Sequence, residues 1–512
     1  MKLSDVLANC GAEQVSGDKE QPEVTQVAHD SRLVDKGTLF VAVPGLKVDG
    51  SSFAAEALAK GAVAVVSEKA MPLKGRSFKV ASARKALATI ASNFFERPTD
   101  HLRLLAVTGT NGKTTTSYLL ESICSSGGAS TGLIGTIQTK YAGRSREATH
   151  TTPDSLELYR TFREMVDLGT DTVVMEVSSH ALAQQRVFGL TFRAAAFTNL
   201  SRDHLDYHKD LEEYFQSKRL LFIDNLAPDG VAVVNGDDTY GNRIYNELRN
   251  SKRMAWKFSR QGNGELSAEN AEFTVRGIRA TLKTPAGDIP VESTLLGQHN
   301  LENILAAAGM ALTAGFSRRD VQEGIKRLSG VPGRLEPFEA NGLLALVDYA
   351  HTEDALRRTL ASARSITKGR VVVVFGCGGD RDKGKRPLMG SAVAELSDLA
   401  VVTSDNPRSE DPDEIIAQVV SGVEKGGFRR ISVGKAKAGE KGYLVESDRA
   451  AAIQLAVSLA KPGDLVVVAG KGHETYQQID DQKQPFDDRT EVAKALKAAG
   501  SSAAGQGVRR KQ

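Results

Sequence analysis

Cysteine is scarce: Cys10, Cys124 and Cys377 stand far apart and form no CxxC pair. Such spacing excludes a disulfide framework and a cysteine-ligated zinc site, and it fits a reducing compartment. Long hydrophobic runs are also missing. No apolar stretch approaches the roughly 18 residues that span a bilayer, and the opening Met1-Lys2-Leu3-Ser4-Asp5 leads into no apolar signal core. A cytoplasmic protein without membrane insertion is expected. Charge of one sign is lacking too, since 66 Lys plus Arg against 63 Asp plus Glu leaves a formal net charge of +3, part of it in Arg509, Arg510 and Lys511. A near-neutral body carries no electrostatic footprint for nucleic acid, so no such partner is expected. A monomer is the expected state.

What is present is length and glycine. A chain of 512 residues exceeds what one hydrophobic core organises, and about three domains are expected. The 41% apolar content and 48 glycines suit an α/β protein whose strand-to-helix turns carry function. Residues 1–99 read as a small α/β domain, with apolar runs at Thr38 to Val43 and Ala62 to Val66 and an amphipathic stretch from Ala83 to Phe95. Residues 100–332 open with the apolar run Leu102 to Val107, a glycine turn and a helix-like stretch Lys113 to Cys124. Further buried-strand candidates at Thr172 to Val177, Ala194 to Thr198 and Val231 to Asn235 predict a mostly parallel sheet. The stretch Ser329 to Pro337, with two Gly and two Pro, reads as a linker. Residues 333–500 then alternate the runs Val371 to Phe375, Leu399 to Thr403 and Leu465 to Ala469 with helical stretches, as in a doubly wound, Rossmann-like sheet. Residues 501–512 read as a basic, disordered tail.

The chemistry begins at Thr108-Gly109-Thr110-Asn111-Gly112-Lys113-Thr114-Thr115, between the strand and the helix. Backbone N–H groups there, with the helix N-terminus, cradle phosphate oxygens, and Lys113 reaches the β and γ phosphates of ATP. The general phosphate-loop pattern wants glycine where Val107 stands, so this is a shorter variant beginning at Gly109. Mg²⁺ beside such a nucleotide needs a hydroxyl and a carboxylate. Thr114 or Thr115 offers the first, and Glu176, ending a buried strand, the second. His204, after another buried strand, is a candidate second ligand, while Lys218 on its own reads as a solvated surface lysine.

These residues resemble the ATP-dependent Mur ligases. Beyond the phosphate loop, His299-Asn300 with Asn303, Gly333-Arg334 and Asp348-Tyr349-Ala350-His351-Thr352 follow in that family's order. The resemblance implies a three-domain α/β fold: an N-terminal UDP-substrate domain, a central ATPase domain and a C-terminal amino-acid domain. It implies that Asn303 and Arg334 approach the nucleotide and that Asp348 to His351 hold the C-terminal domain against it. It also implies that Lys218 is carbamylated, becoming a carboxylate-like ligand for a second Mg²⁺. Where the family often has proline after the His-Thr pair, this chain has Glu353, a departure that touches no residue with a chemical role.

Within the family, the tripeptide-forming branch is similar in Thr149 to Asp154 and in Glu176 to Arg186, which implies that Thr151, Thr152, Ser178, Gln184 and Arg186 hold a UDP-N-acetylmuramoyl dipeptide. Ser31, in Asp30-Ser31-Arg32, is implied to contact its uridine diphosphate part. The incoming amino acid would be read by Asp405, Asn406, Pro407 and Arg408 after one strand and by Gly470 and Glu474 after another. Meso-diaminopimelate carries a second amino acid head that lysine lacks, and a guanidinium can grip its carboxylate in a bidentate pair. Arg408 fits that task, with Arg381 as a second cation and Glu474 facing the distal ammonium. The reading is an amide ligase that activates the D-glutamyl γ-carboxylate as an acyl phosphate, with Lys113 and Mg²⁺ balancing charge and His204 a helper for the amine proton. Alternatives are a lysine-adding sister, a folylpolyglutamate-type ligase, a phosphate-loop ATPase doing regulatory work and a nucleotide-binding module without chemistry.

Overall fold

The computed structural model describes residues 1–45 and 48–507, without the side chains of 500–507. The strand Val371–Phe375 explains the third unit. Val371, Val373 and Phe375 pack into one apolar cluster, and Val372 and Val374 into another on the opposite face. A strand buried on both faces reads as a continuous hydrophobic run and belongs in a parallel sheet covered by helices on both sides. That sheet runs in the order Glu336–Ala340, Leu343–Asp348, Leu465–Ala469, Val371–Phe375, Leu399–Val402 and Gly442–Val445, with only the first strand antiparallel.

The central sheet follows the same logic. Leu104 and Ala106 face one cluster and Leu105 and Val107 the other. Its eight strands are ordered Ala255–Phe258, Leu226–Asn235, Phe192–Phe197, Arg103–Thr108, Thr172–Glu176, Thr131–Ile134, Gln138–Tyr141 and Arg144–Glu147. The first six are mutually parallel, and the last two form an antiparallel edge. A separate three-stranded antiparallel sheet, Ser267–Thr274, Gly277–Lys283 and Ile289–Ser293, is an element that the sequence reading did not contain. The N-terminal sheet has five strands, among them Thr38–Ala42 and Ala64–Ser67, and the helix Ala83–Phe94 is capped by the Ser82 hydroxyl.

The protein is thus a three-domain α/β fold, as expected. Strand carboxyl ends carry the loops of interest in both larger sheets, which is where open α/β sheets bind ligands. In the linker, Gly333 adopts a φ of 65°, and a Cβ there would collide with the backbone of Gly472 and His473. Glycine is what lets the linker lie against that loop. Glu353 opens the helix Glu353–Ile366 behind the Thr352 cap and pairs with Arg357 at 2.9 Å, an acid well suited to the positive end of a helix. The final helix, Asp488–Gly507, extends through the first part of the expected tail, so the backbone of 501–507 is helical. Residues 508–512 lie outside the described residues.

Candidate active site

Positive φ angles of 142° at Gly109 and 87° at Gly112 curl the chain between the strand Arg103–Thr108 and the helix Lys113–Ser126. Side chains at these positions would strike the Thr198 hydroxyl and the Asn303 amide. The Lys113 Nζ donates to the carbonyls of Gly109 at 2.9 Å and Thr110 at 2.8 Å. Burial pulls its ammonium below the usual lysine range, opposed by the charges of Glu176 and Asp203. Thr114 donates to Glu176 at 3.2 Å and accepts from Arg334 at 3.1 Å. Glu176, fully buried, also receives the Thr136 amide at 2.9 Å and the Thr136 hydroxyl at 2.8 Å. Thr136 was not singled out from the sequence; its loop carries no glycine-lysine signature, and only its place after a buried strand would have marked it.

Lys218 corrects the residue-by-residue expectation. It is 1% exposed, not solvated, and its Nζ donates to the Gly109 carbonyl at 2.8 Å. Burial and the neighbouring Lys113 charge hold its amine well below the ordinary lysine range. His204 stands close by in the left-handed region at φ 55°, its imidazole 3.5 Å from the Asp203 carboxylate and ring to ring with His180 at 4.8 Å. Burial pushes the His204 pKa down.

Thr110 through Thr115, His204, Lys218, Asn303 and Arg334 line one cavity of about 190 Å³. It adjoins a second of about 470 Å³, with Thr136, Thr151, Ser178 and Tyr349 bordering both. The second joins Thr152 and Arg186 of the central domain to Arg381, Asp405, Asn406, Arg408, Gly470 and Glu474 of the C-terminal domain. Arg186 donates to the Thr152 carbonyl at 2.7 Å and to Gln184 at 2.9 Å. Ser178 caps the helix Ser179–Ala183, and its amide donates to the Thr152 hydroxyl at 3.0 Å. Gln184 faces a third cavity, of about 250 Å³, with His29, Arg84 and Asp154. There His29 bridges to Asp154 at 3.5 Å, tying the N-terminal domain to the central one.

In the C-terminal part, Arg408 is held at φ 52° and donates to the Gly379 carbonyl at 2.7 Å. Asp348, buried, accepts from the Leu335 amide at 2.8 Å and the Thr359 hydroxyl at 2.9 Å. The Arg334 guanidinium lies 4.4 Å from the Tyr349 ring centroid. Besides Arg334 on Thr114, contacts that join the C-terminal domain to the central one include Asn111 to Asp354 at 2.9 Å, Arg202 to Asp382 at 3.1 Å, and His351 to Asp203 at 4.0 Å. Four expected site residues border none of these three cavities: Gly109 and Glu176, which lie behind the first and hydrogen-bond Lys113, Lys218 and Thr114 on its wall, and Ser31 and Pro407. Ser31 is buried, its carbonyl receiving Lys60 at 3.0 Å. The Pro407 carbonyl lies against Gly379, with no room there for a Cβ.

Three α/β domains around a phosphate loop and a shared cleft define the class: an ATP-dependent ligase. Family models describe the same three pieces, matching as the Mur ligase family catalytic domain over residues 23–95, the Mur ligase middle domain over 107–311 and the Mur ligase glutamate ligase domain over 333–472. The UDP-N-acetylmuramoyl-L-alanyl-D-glutamate–2,6-diaminopimelate ligase of Solibacter usitatus is 45% identical, over 98% of this chain and 99% of its own length. A solved structure of a ligase with that same name is 33% identical, with a TM-score of 0.69 over 98% of this chain and 99% of that one. The MurF ligase of Thermotoga maritima, solved in complex with ADP, shares the fold at 19% identity and a TM-score of 0.61, over 93% of this chain and 98% of that one. The chain belongs to the Mur ligase family.

Proposed function

We propose that this protein adds meso-2,6-diaminopimelate to the D-glutamyl γ-carboxylate of UDP-N-acetylmuramoyl-L-Ala-D-Glu, in peptidoglycan synthesis, through an acyl phosphate. The observation that carries the reading is the larger cavity, which brings Thr152 and Arg186 into one space with Arg408, Asn406 and Glu474. A substrate with a carboxylate to activate and an amino acid with a second charged head need such a space. The full-length similarity to diaminopimelate ligases supports the same choice over the lysine-adding and folate alternatives.

A carboxylate is a poor acyl donor, so its activation by the γ-phosphoryl of ATP precedes attack by the amine. Lys113 would exchange its loop carbonyls for phosphate oxygens, and Arg334 would follow from its contact with Thr114. Asn303, packed on Gly112, belongs to the nucleotide side of the cleft. The donor set fits Mg²⁺ of one kind: no cluster of three or more His, Cys, Asp or Glu suited to a metal occurs among the described residues. A hydroxyl with one carboxylate suits a cation that takes its other oxygens from phosphate and water. Thr114, Thr115 and Glu176 would hold it, with His204 and carbamylated Lys218 serving a second ion. When bound, the metal neutralises charge on the moving phosphoryl group. An uncharged Lys218 amine is the form that reacts with carbon dioxide, and its burial favours that form.

Thr151, Thr152, Ser178, Gln184 and Arg186 would hold the dipeptide, and the N-terminal domain its UDP end. Arg408 and Arg381 would grip the distal carboxylate of diaminopimelate, with Glu474 on the ammonium. A monomer is part of this reading, and a UDP-linked substrate used with ATP accords with the cytoplasm. Among the described residues no helix is long and apolar enough to cross a membrane. The test is phosphate release across a panel of diaminopimelate, lysine and glutamate, with hydroxylamine trapping in the presence of dipeptide. Preference for diaminopimelate and a hydroxamate product are expected. Preference for lysine or glutamate, or no hydroxamate from protein that binds ATP, overturns the reading.

A further inference from the structure

Lys471 is fully buried, yet no step above uses it. Its Nζ donates to the Asn406 side-chain oxygen at 2.8 Å and to Glu474 Oε2 at 3.2 Å. Asn406 donates in turn from Nδ2 to the same Glu474 oxygen at 2.9 Å, while its own oxygen also receives the Gln478 amide at 2.9 Å. Two donors on Asn406 Oδ1 fix which way that amide points, so its NH₂ faces Glu474. A closed triangle of lysine, amide and carboxylate results. It joins the loop after the strand Leu399–Val402 to the loop after Leu465–Ala469, two of the loops that border the larger cavity.

A buried ammonium is unfavourable unless paired and hydrogen-bonded, and Lys471 meets that requirement with these two residues of the amino-acid subsite. We infer that Lys471 is a positioning residue for amino-acid recognition, holding Asn406 and Glu474 as one preorganised acceptor and keeping the Glu474 carboxylate charged for the distal ammonium of diaminopimelate. The inference rests on the proposed diaminopimelate ligase reading.

The electrostatics agree. Burial raises the Glu474 carboxyl, and the nearby Asp405 raises it further, while Lys471 and the Asn406 hydrogen bond oppose both. Arg449 and Tyr349 also face Glu474. Across the cavity stand Asp382, Lys385 and Arg408, with His351 and His473. Within the triangle, Lys471 is the cation in contact with Glu474; Arg449 is instead committed to Asp488 at 2.7 Å and lies 3.9 Å from Asp405. Removing the Lys471 charge therefore takes away a cation that opposes the rise of the Glu474 carboxyl, and the ammonium of the substrate loses its anion as the pH falls.

The test is steady-state kinetics of full-length Lys471→Met and Lys471→Arg with each substrate varied in turn. For Lys471→Met the KM for diaminopimelate should rise by roughly tenfold or more, as expected for a lost hydrogen bond to a charged group, with the KM for ATP and for the dipeptide unchanged. The ratio of variant to wild-type KM should fall as the pH rises, because alkali restores the Glu474 charge. Lys471→Arg, which keeps the charge, should show a ratio that does not vary with pH. In a Glu474→Gln background, Lys471→Met should add little. A loss independent of pH, one that spreads equally to ATP, or full additivity with Glu474→Gln overturns the inference. Wild-type preference for lysine in the same assays would instead sink the underlying functional reading. If Lys471→Met does not fold, Lys471→Gln decides, since it keeps a hydrogen-bonding side chain without the charge: a diaminopimelate KM ratio that falls as the pH rises upholds the inference, and a ratio that does not vary with pH overturns it.

Discussion

Lys218 and Gly109 are 109 positions apart in the chain, yet the amine of one donates to the carbonyl of the other at 2.8 Å, beside the cavity that Lys218 lines. A lysine with that address is no surface residue, and its chemistry should be separable from its fold.

Replacing Lys218 by alanine should abolish ligase activity almost entirely while nucleotide binding persists. A short-chain carboxylic acid added to the variant should restore part of the rate, by supplying the anionic group that a carbamate on Lys218 would provide. Activity assays with and without the acid, beside a nucleotide titration, check this. Little change in rate would remove Lys218 from the catalytic site.

Glu176→Gln keeps the shape of the side chain that meets Thr114 and Thr136 but removes its charge. The Mg²⁺ concentration needed for half-maximal rate should rise by roughly 10–100-fold, the range seen when the immediate surroundings of a metal are altered. A magnesium titration of the initial rate measures it, and an unchanged midpoint removes Glu176 from the metal site.

Arg408→Lys keeps a cation but loses the two-pronged grip on a carboxylate. The preference for diaminopimelate over lysine, as a ratio of kcat/KM, should drop by at least about tenfold, with the KM for ATP unaffected. The amino-acid panel reads this out.

His29 and Asp154 clasp two domains, and their titration gives the clasp a pH window. The Asp154 hydrogen bond raises the His29 pKa above 6.5, so the stabilisation is fully present below 6.5 and lost as the pH rises through the elevated value. For Asp154, burial alone would raise the carboxyl, but the hydrogen bond and charge of His29, with the backbone amides of Glu157 and Leu156, outweigh it and hold it at about 2; its contribution is present above 3.8 and lost as the pH falls through about 2. His29→Ala should therefore lower the melting temperature at about pH 5.5 and make little difference at about pH 8.5. Thermal melts at both values test the sign.

Legibility in the sequence followed burial. Val371–Phe375 and Leu465–Ala469 were readable to the residue, because a strand covered on both faces is an unbroken apolar run. The hairpin Gln138–Tyr141 and Arg144–Glu147 was not, because an edge pair in part exposed to water carries mixed polarity and no such run. The phosphate loop announced itself through glycines that no other residue could replace. Lys218 did not, since its helix mixes charged and aromatic residues; yet it lies four residues after Tyr214 and three after Phe215, on their buried face, and a lysine at that spacing is a signal that could have been used. Thr136 and Lys471 depend on partners from distant loops, and no local pattern reports those.

The contact of Gly333 with Gly472 and His473 gives the linker a second meaning. The linker into the third domain leans directly on the loop that leads to Glu474, so on the proposed reading any pivot there would drag the amino-acid reader with it. Arrival of the last substrate and the seating of its domain would thereby be geared together, and a bulkier residue at Gly333 would strip the gear before it touched either cavity.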